Sequence, residues 1–354
     1  MIIVEHFGQT EDGQDVERYS LINQHDMRVD ILTYGGIIQR WLVPSETPVD
    51  IVLGFDQLDN YLNDPSYIGR TVGRYANRIA NGQFELNGIA YQVSTNLGEH
   101  SLHGGDNGFS ARVWQAEVVS EQQNPAIKLS LVSEDQDQGF PGKLLAEATF
   151  CLTESNSLHI CYEAESDKDT LFNPTQHSYF NLAGHDSGRI DQQIISVNAD
   201  KYTPATELSI PTGELADVQN SAFDLRQPQP FESSLSMADA DIKLTNGFDH
   251  NWCVNGFNEN PQGSQNTINQ AAEVYDPSSG RRLIVKTSMP GIQVYSGNFI
   301  GQALSGKAGA VYAAHHAFCL ETQFYPDSPN QPNFPTAVLK KGGKFKSITE
   351  YVIE

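Results

Sequence analysis

Phe84-Glu85-Leu86-Asn87-Gly88-Ile89-Ala90-Tyr91-Gln92-Val93 alternates apolar and polar residues on both sides of an Asn-Gly pair. Alternation turns every second side chain to one face, and Asn-Gly tolerates the consecutive positive φ values of a tight turn, so the stretch predicts a hairpin. The same period of two runs outward from it. Leu145 to Thr153 reads as a strand, Glu154-Ser155-Asn156-Ser157 as a turn, and Leu158, Ile160, Tyr162 and Ala164 as the returning strand. Val29, Ile31 and Thr33 alternate before a Gly35-Gly36 break, and further strands are expected over 114–119, 127–132, 194–197, 283–287 and 292–295. Helical signals are confined to short turns near 57–62 and Ala238. Many short strands separated by turn residues predict an all-β protein, a large antiparallel β-sandwich or barrel. Residues 227–230 and 255–269 have loop composition and read as surface loops over one domain spanning 1–354 rather than as linkers. The chain shows neither a repeat of solenoid or propeller length nor a heptad run.

Composition narrows the partners. The chain has 354 residues, with 22 basic and 44 acidic side chains and a net charge of −22. Such a surface repels nucleic acid and anionic membranes, so neither is an expected partner, and a small uncharged or cationic molecule is. With 39% hydrophobic residues the chain is globular rather than disordered. No apolar run approaches the ~20 residues of a membrane span, and the opening MIIVEHFGQTEDG lacks a basic signal-peptide start. A cytoplasmic protein is expected. Cys151, Cys161, Cys253 and Cys319 show no C-x-x-C spacing, which argues against a disulfide scaffold or structural zinc and predicts buried, inert thiols. Adjacent His315 and His316 would face opposite ways on a strand, and His100 with His103 lacks a third ligand nearby, so no metal is expected. Phosphate-loop and dinucleotide fingerprints are absent, so no cofactor is expected. Monomer and homodimer are equally compatible with the sequence.

Several segments carry more polar function than a sheet surface needs. Arg70, Arg74 and Arg78 recur every four residues, as an anion or hydroxyl clamp or as internal partners for carboxylates. His103 precedes Gly104-Gly105, which either delivers it to a pocket or leaves it on a surface loop. His177 sits beside Tyr179-Phe180, as a functional or a satisfied core histidine. Glu321 follows the apolar run Ala317-Phe318-Cys319-Leu320, where a carboxylate is costly unless it is paired or functional.

In order along the chain come Gly73-Arg74-Tyr75-Ala76-Asn77-Arg78-Ile79, Leu102-His103-Gly104-Gly105, His177-Ser178-Tyr179-Phe180-Asn181-Leu182, Phe248-Asp249-His250-Asn251, Pro290-Gly291-Ile292-Gln293-Val294-Tyr295-Ser296-Gly297-Asn298 and Leu320-Glu321-Thr322-Gln323. Together they resemble the aldose 1-epimerase, or galactose mutarotase, family over nearly the whole chain. The resemblance implies a single large galactose mutarotase-like β-sandwich with an open sugar cleft and no cofactor. It implies Glu321 as general base, His177 as general acid and His103 as a second histidine near the ring oxygen. Asn77, Arg78, Asp249 and Gln293 match residues that bind sugar hydroxyls, whereas Arg70 and Arg74 have no such counterpart. Gln176 stands where Asn is common in the family. The implied activity is interconversion of the α and β anomers of a free aldose such as galactose or glucose. A hexose-6-phosphate epimerase and a non-catalytic sugar-binding protein are the competing readings.

Overall fold

The computed structural model describes residues 1–236, 239–258, 267–301 and 304–354. The hairpin forms as expected. Strands Gln83–Leu86 and Ile89–Gln92 pair with Phe84 opposite Tyr91, and the turn residues Asn87 and Gly88 take φ values of 54° and 75°. It is a satellite, packed with Tyr75, Ile79 and Phe140 in a small cluster of its own.

The body of the molecule is a nine-stranded antiparallel sheet facing a second, composite layer. The nine strands lie in the order Gln115–Ser120, Ala126–Ser133, Leu144–Leu152, Ser157–Ser166, Lys344–Ile353, Arg282–Thr287, Asn269–Tyr275, Ile194–Val197 and Gln229–Pro230. The chain's last strand thus closes the middle of the sheet. The predicted Leu145 hairpin lies within it, with Leu152 opposite Leu158. The stretch 227–230 is not wholly loop. Its end pairs with Ile194 and Ile195 at the sheet edge, where Pro230 needs no N–H to donate.

The second layer has two five-stranded sheets. One runs Ile2–Gln9, Asp15–Ile22, Arg28–Leu32, Ile37–Val43, Val49–Asp50; the other runs Ala216–Asp217, Lys201–Thr203, Asp249–Cys253, Gly291–Tyr295, Cys319–Gln323. Between them Arg70–Val72 pairs with Thr175–His177. Single bridges from Val52 to Phe180 and from Phe180 to Phe318 complete the connection. Apolar side chains of all three sheets meet in one core, including Ile31 and Trp41, Phe150 and Tyr351, and Trp252, Ile292, Val294 and Leu320. Each such side chain contributes about 1.5–3 kcal/mol when fully buried. The protein is a large antiparallel β-sandwich. On Asp249–Cys253, Gly291–Tyr295 and Cys319–Gln323, alternation sends Trp252, Ile292, Val294 and Leu320 inward and leaves Asp249, Gln293 and Glu321 on the opposite face.

The first helical signal is the single turn Leu58–Leu62. Ala238 and residues 259–266 of the second loop-like stretch lie outside the described residues, and the helices Phe231–Leu235 and Ala240–Leu244 flank Ala238. Arg70, Arg74 and Arg78 do not form a helical stripe, because Arg70 and Arg78 are in short strands. Of the four free cysteines only Cys319 is buried, the other three being half-buried on sheet strands, so the expectation of uniformly buried thiols fails. Among the described residues no helix is long and apolar enough to cross a membrane.

Candidate active site

The two outer arginines of the triplet are structural. Arg70 donates to the backbone carbonyls of Tyr61, Ser110 (3.1 Å) and Asp64 (3.2 Å). Arg74 donates to those of Pro141 and Gly142 (both 2.9 Å), Ser133 and Glu134. Internal pairing wins for both, although carbonyls do most of the work expected of carboxylates. A guanidinium presents five donors, enough to satisfy several loop carbonyls that turn inward together. Arg78 behaves differently and opens onto a cleft of about 410 Å³.

Six of the seven predicted site residues line that cleft: Asn77, Arg78, His103, His177, Asp249 and Glu321. The seventh, Gln293, is held immediately beside it, opposite Glu321 in the strand register, and donates from Nε2 to Asp249 Oδ1 at 2.7 Å. The strand wall follows from register. Thr175–His177 lies beside Cys319–Gln323, and the Thr175 hydroxyl donates to the Thr322 carbonyl at 2.8 Å. His177 Nε2 consequently stands 3.7 Å from Glu321 Oε1. Gln176, the family departure, points the other way. Its Nε2 donates to the Gly69 carbonyl at 2.5 Å and its Oε1 accepts from the Thr71 hydroxyl at 2.9 Å.

The loop wall needs unusual backbone. Asn77 and His103 take positive φ values of 63° and 52°, and each holds the other. His103 N–H donates to the Asn77 carbonyl at 3.1 Å, and Asn77 N–H donates to His103 Nδ1 at 3.2 Å. Gly104 is required here. At its φ of +90° a Cβ would lie 2.0 Å from the Gly73 carbonyl oxygen. His103 is only 6% exposed, so the surface-loop alternative falls. Because its Nδ1 accepts, its proton sits on Nε2.

A polar chain joins the walls. Asn77 Oδ1 accepts from Arg78 Nη1 at 3.3 Å, Arg78 Nη2 donates to Asp249 Oδ2 at 3.3 Å, and Asp249 also accepts from Gln293. Burial pushes the Asp249 carboxyl up, but the Arg78 charge and the Gln293 hydrogen bond outweigh it and hold Asp249 below the usual value. At Glu321 the Arg78 charge also pulls downward but is outweighed. Burial, reinforced by the Asp249 charge, pushes the Glu321 carboxyl well above the usual range. Burial also lowers His177 to about 4, and lowers His103 well below its usual value with help from His177 and Arg78. Among the described residues, buried Glu321 Oε2 and Gln293 Oε1 have no hydrogen-bond partner.

Aromatic rings that the sequence did not single out complete the site. Tyr67 packs on His103 at 4.7 Å and is inclined 26° to His177 at 6.2 Å, while Tyr179 stacks on His177 at 5.0 Å. Tyr295 and the 62% exposed Phe299 stand at the wall and mouth. Tyr179 and Tyr295 lie within the quoted motifs, but Tyr67 and Phe299 carry no spacing signal. His103, His177 and Glu321 offer atoms within 4.8 Å of one another, a set that could reach one ion and that linear spacing did not disclose.

The fold and cleft define a class, and comparison with known proteins names it. The aldose 1-epimerase family profile matches residues 17–352. The chain belongs to this family. It is 41% identical to the galactose mutarotase of Homo sapiens over 347 residues, 97% of this chain and 96% of that protein. It is 37% identical to the aldose 1-epimerase of Haemophilus influenzae over 344 residues, 96% of each. Among solved structures, galactose 1-epimerase from Lactobacillus acidophilus superposes with a TM-score of 0.86 at 28% identity, covering 100% of this chain and 98% of that one.

Proposed function

We propose that the protein is a mutarotase that interconverts the α and β anomers of free aldohexoses such as galactose and glucose by acid/base catalysis. Membership in the aldose 1-epimerase family supports the isomerase class, and a small sugar is its partner. The observation that carries the roles is the 3.7 Å approach of His177 Nε2 and Glu321 Oε1 at one end of a cleft lined with hydrogen-bonding groups. Carbon 1 of a cyclic aldose carries two oxygens, O1 and the ring O5. Glu321 takes the proton of O1 while His177 gives one to O5, and the C1–O5 bond breaks to leave an aldehyde. Rotation about C1–C2 presents the other carbonyl face, and the two transfers then reverse. Burial of both groups opposes the charged pair of carboxylate and imidazolium, so the transfer that makes both neutral is favoured. His103, fixed as an Nε2–H donor, stabilises charge near O5. Asn77, Arg78, Asp249 and Gln293 hold the hydroxyls.

The same reading treats the chain as one domain, cytoplasmic, without nucleic acid or membrane partners. It requires no ion on the two histidines and Glu321, so chelator should leave the rate unchanged. The phosphorylated-sugar alternative loses its support. Arg70 and Arg74 are spent on carbonyls, and among the cleft residues the one basic side chain with a permanent charge, Arg78, is already paired with Asp249. Polarimetry on freshly dissolved α-galactose and α-glucose tests the proposal. Glu321→Gln should slow catalysed mutarotation by roughly 10²–10⁴-fold with sugar binding retained, and wild-type speed in that variant would remove Glu321 as the base.

A further inference from the structure

The two ring nitrogens of His177 meet different partners. Nε2 faces Glu321 across 3.7 Å, whereas Nδ1 lies 3.6 Å from Sγ of Cys319. Cys319 is fully buried, precedes Glu321 by two residues on the same strand and therefore shares its face. The rings of Tyr179 and Tyr67, inclined only 27° and 26° to the imidazole, restrict its plane. Stacking cannot choose which nitrogen carries a proton. Only a hydrogen-bond partner at a ring nitrogen can, and at Nδ1 that partner is the Cys319 sulfur.

We propose that Cys319 is a positioning residue that keeps a proton on Nδ1 of His177 throughout turnover, so that Nε2 alone exchanges protons with the ring oxygen. The inference rests on the reading of His177 as the general acid. The proton count sets the direction of the bond. An imidazolium that gives its Nε2 proton to O5 becomes neutral imidazole with Nδ1–H intact and Nε2 bare, ready to recover the proton at ring closure. If the thiol donated to Nδ1 instead, Nδ1 would be unprotonated and loss of the Nε2 proton would leave an imidazolate. Sγ therefore accepts.

The neighbour provides the contrast. His103, with its ring centre 5.3 Å from that of His177, receives a backbone N–H at Nδ1 and must carry its proton on Nε2. The site thus holds two adjacent imidazoles in opposite tautomers, one fixed by a donor and one by an acceptor. The acceptor is also mild. Burial, with the Glu321 and Asp249 charges, pushes the Cys319 thiol well above its usual pKa, so it stays neutral and does not compete for the Nδ1 proton.

Nitrogen-15 NMR of the intact, imidazole-labelled protein near neutral pH tests the assignment, with the His177 signals identified by their loss in His177→Asn. Neutral His177 should carry its proton on Nδ1 in the wild type. Cys319→Ala should give mixed tautomers and lower kcat on α-galactose by roughly 10- to 100-fold, the cost typical of losing a partner that orients a histidine, with KM little changed. Cys319→Ser, which retains an acceptor, should recover part of both. An Nε2–H tautomer in the wild type overturns the proposal, as does an unchanged Nδ1–H tautomer or an unchanged kcat in Cys319→Ala. If Cys319→Ala does not fold, the wild-type and Cys319→Ser spectra decide alone. A wild type with the expected tautomer but no mutarotation would overturn the proposed function instead and leave the Cys319 contact standing.

Discussion

The two walls of the cleft are built by different means. On the strand wall, Glu321, His177, Asp249 and Gln293 sit in regular β-structure, and their mutual placement follows from pairing and alternation. On the loop wall, Asn77 and His103 sit in left-handed backbone conformations and are placed by reciprocal hydrogen bonds to each other. A strand wall tolerates changes of neighbour as long as the register survives. A loop wall depends on a few residues that permit its backbone. The walls also divide the chemistry: the groups with opposed pKa displacements, Glu321 and His177, stand on strands, and the loops supply donors of fixed polarity.

The sharpest test of that division is the pair of histidines. His177→Asn should lower kcat by about 10²–10⁴-fold, because O5 must then take its proton from water, while His103→Asn should cost less, since it removes a hydrogen bond and no proton. Polarimetry of the two variants side by side would reverse the assignment if His103→Asn proved the more damaging. The loop wall should fail at Gly104. Gly104→Ala drives a methyl into the Gly73 carbonyl and should cost about 1–3 kcal/mol of stability, together with weaker sugar binding. Denaturant unfolding and a binding titration measure both, and an unchanged unfolding midpoint would contradict the loop argument.

Two arginines give a smaller contrast. Arg78→Lys loses the forked contact to Asn77 and Asp249 and should raise KM by about 10-fold, whereas Arg74→Met should lower stability and leave KM alone. A KM change in Arg74→Met would mean that the arginine reaches the sugar after all. The smallest effect concerns pH. The folded Glu321 carboxyl titrates above its ordinary value of 4.5, so the native state holds more protons than the unfolded chain above that pH, and stability through this group falls as pH rises. Glu321→Gln removes that loss. Its melting temperature should exceed the wild type's by a wider margin at about pH 8 than at about pH 5, and equal margins would show that burial does not raise this carboxyl.

Much of the molecule was legible beforehand. The Asn87-Gly88 turn and the Leu145 to Ala164 hairpin appear in the register their alternation implies, because a half-buried strand must segregate its faces. Ile2–Gln9 was not legible. It is an edge strand with most of its side chains exposed, so no face is selected and the pattern blurs. Glu321 stood out by its cost, as a carboxylate in an apolar run. Tyr67 and Phe299 did not stand out, because a lone aromatic in a polar loop looks the same whether it lines a cleft or not.

By itself the sequence determined the class of architecture, the family and the set of chemically able residues, since period-two patterning, turn chemistry and ordered motifs are local properties of the chain. The tertiary structure decided what those residues do to one another. It separated Arg78 from Arg70 and Arg74, brought His177 to Glu321 across 144 positions of chain, and placed a thiol against Nδ1 of His177. These are long-range facts. Burial, partner and proton position depend on which distant strands meet, and no local pattern carries that information.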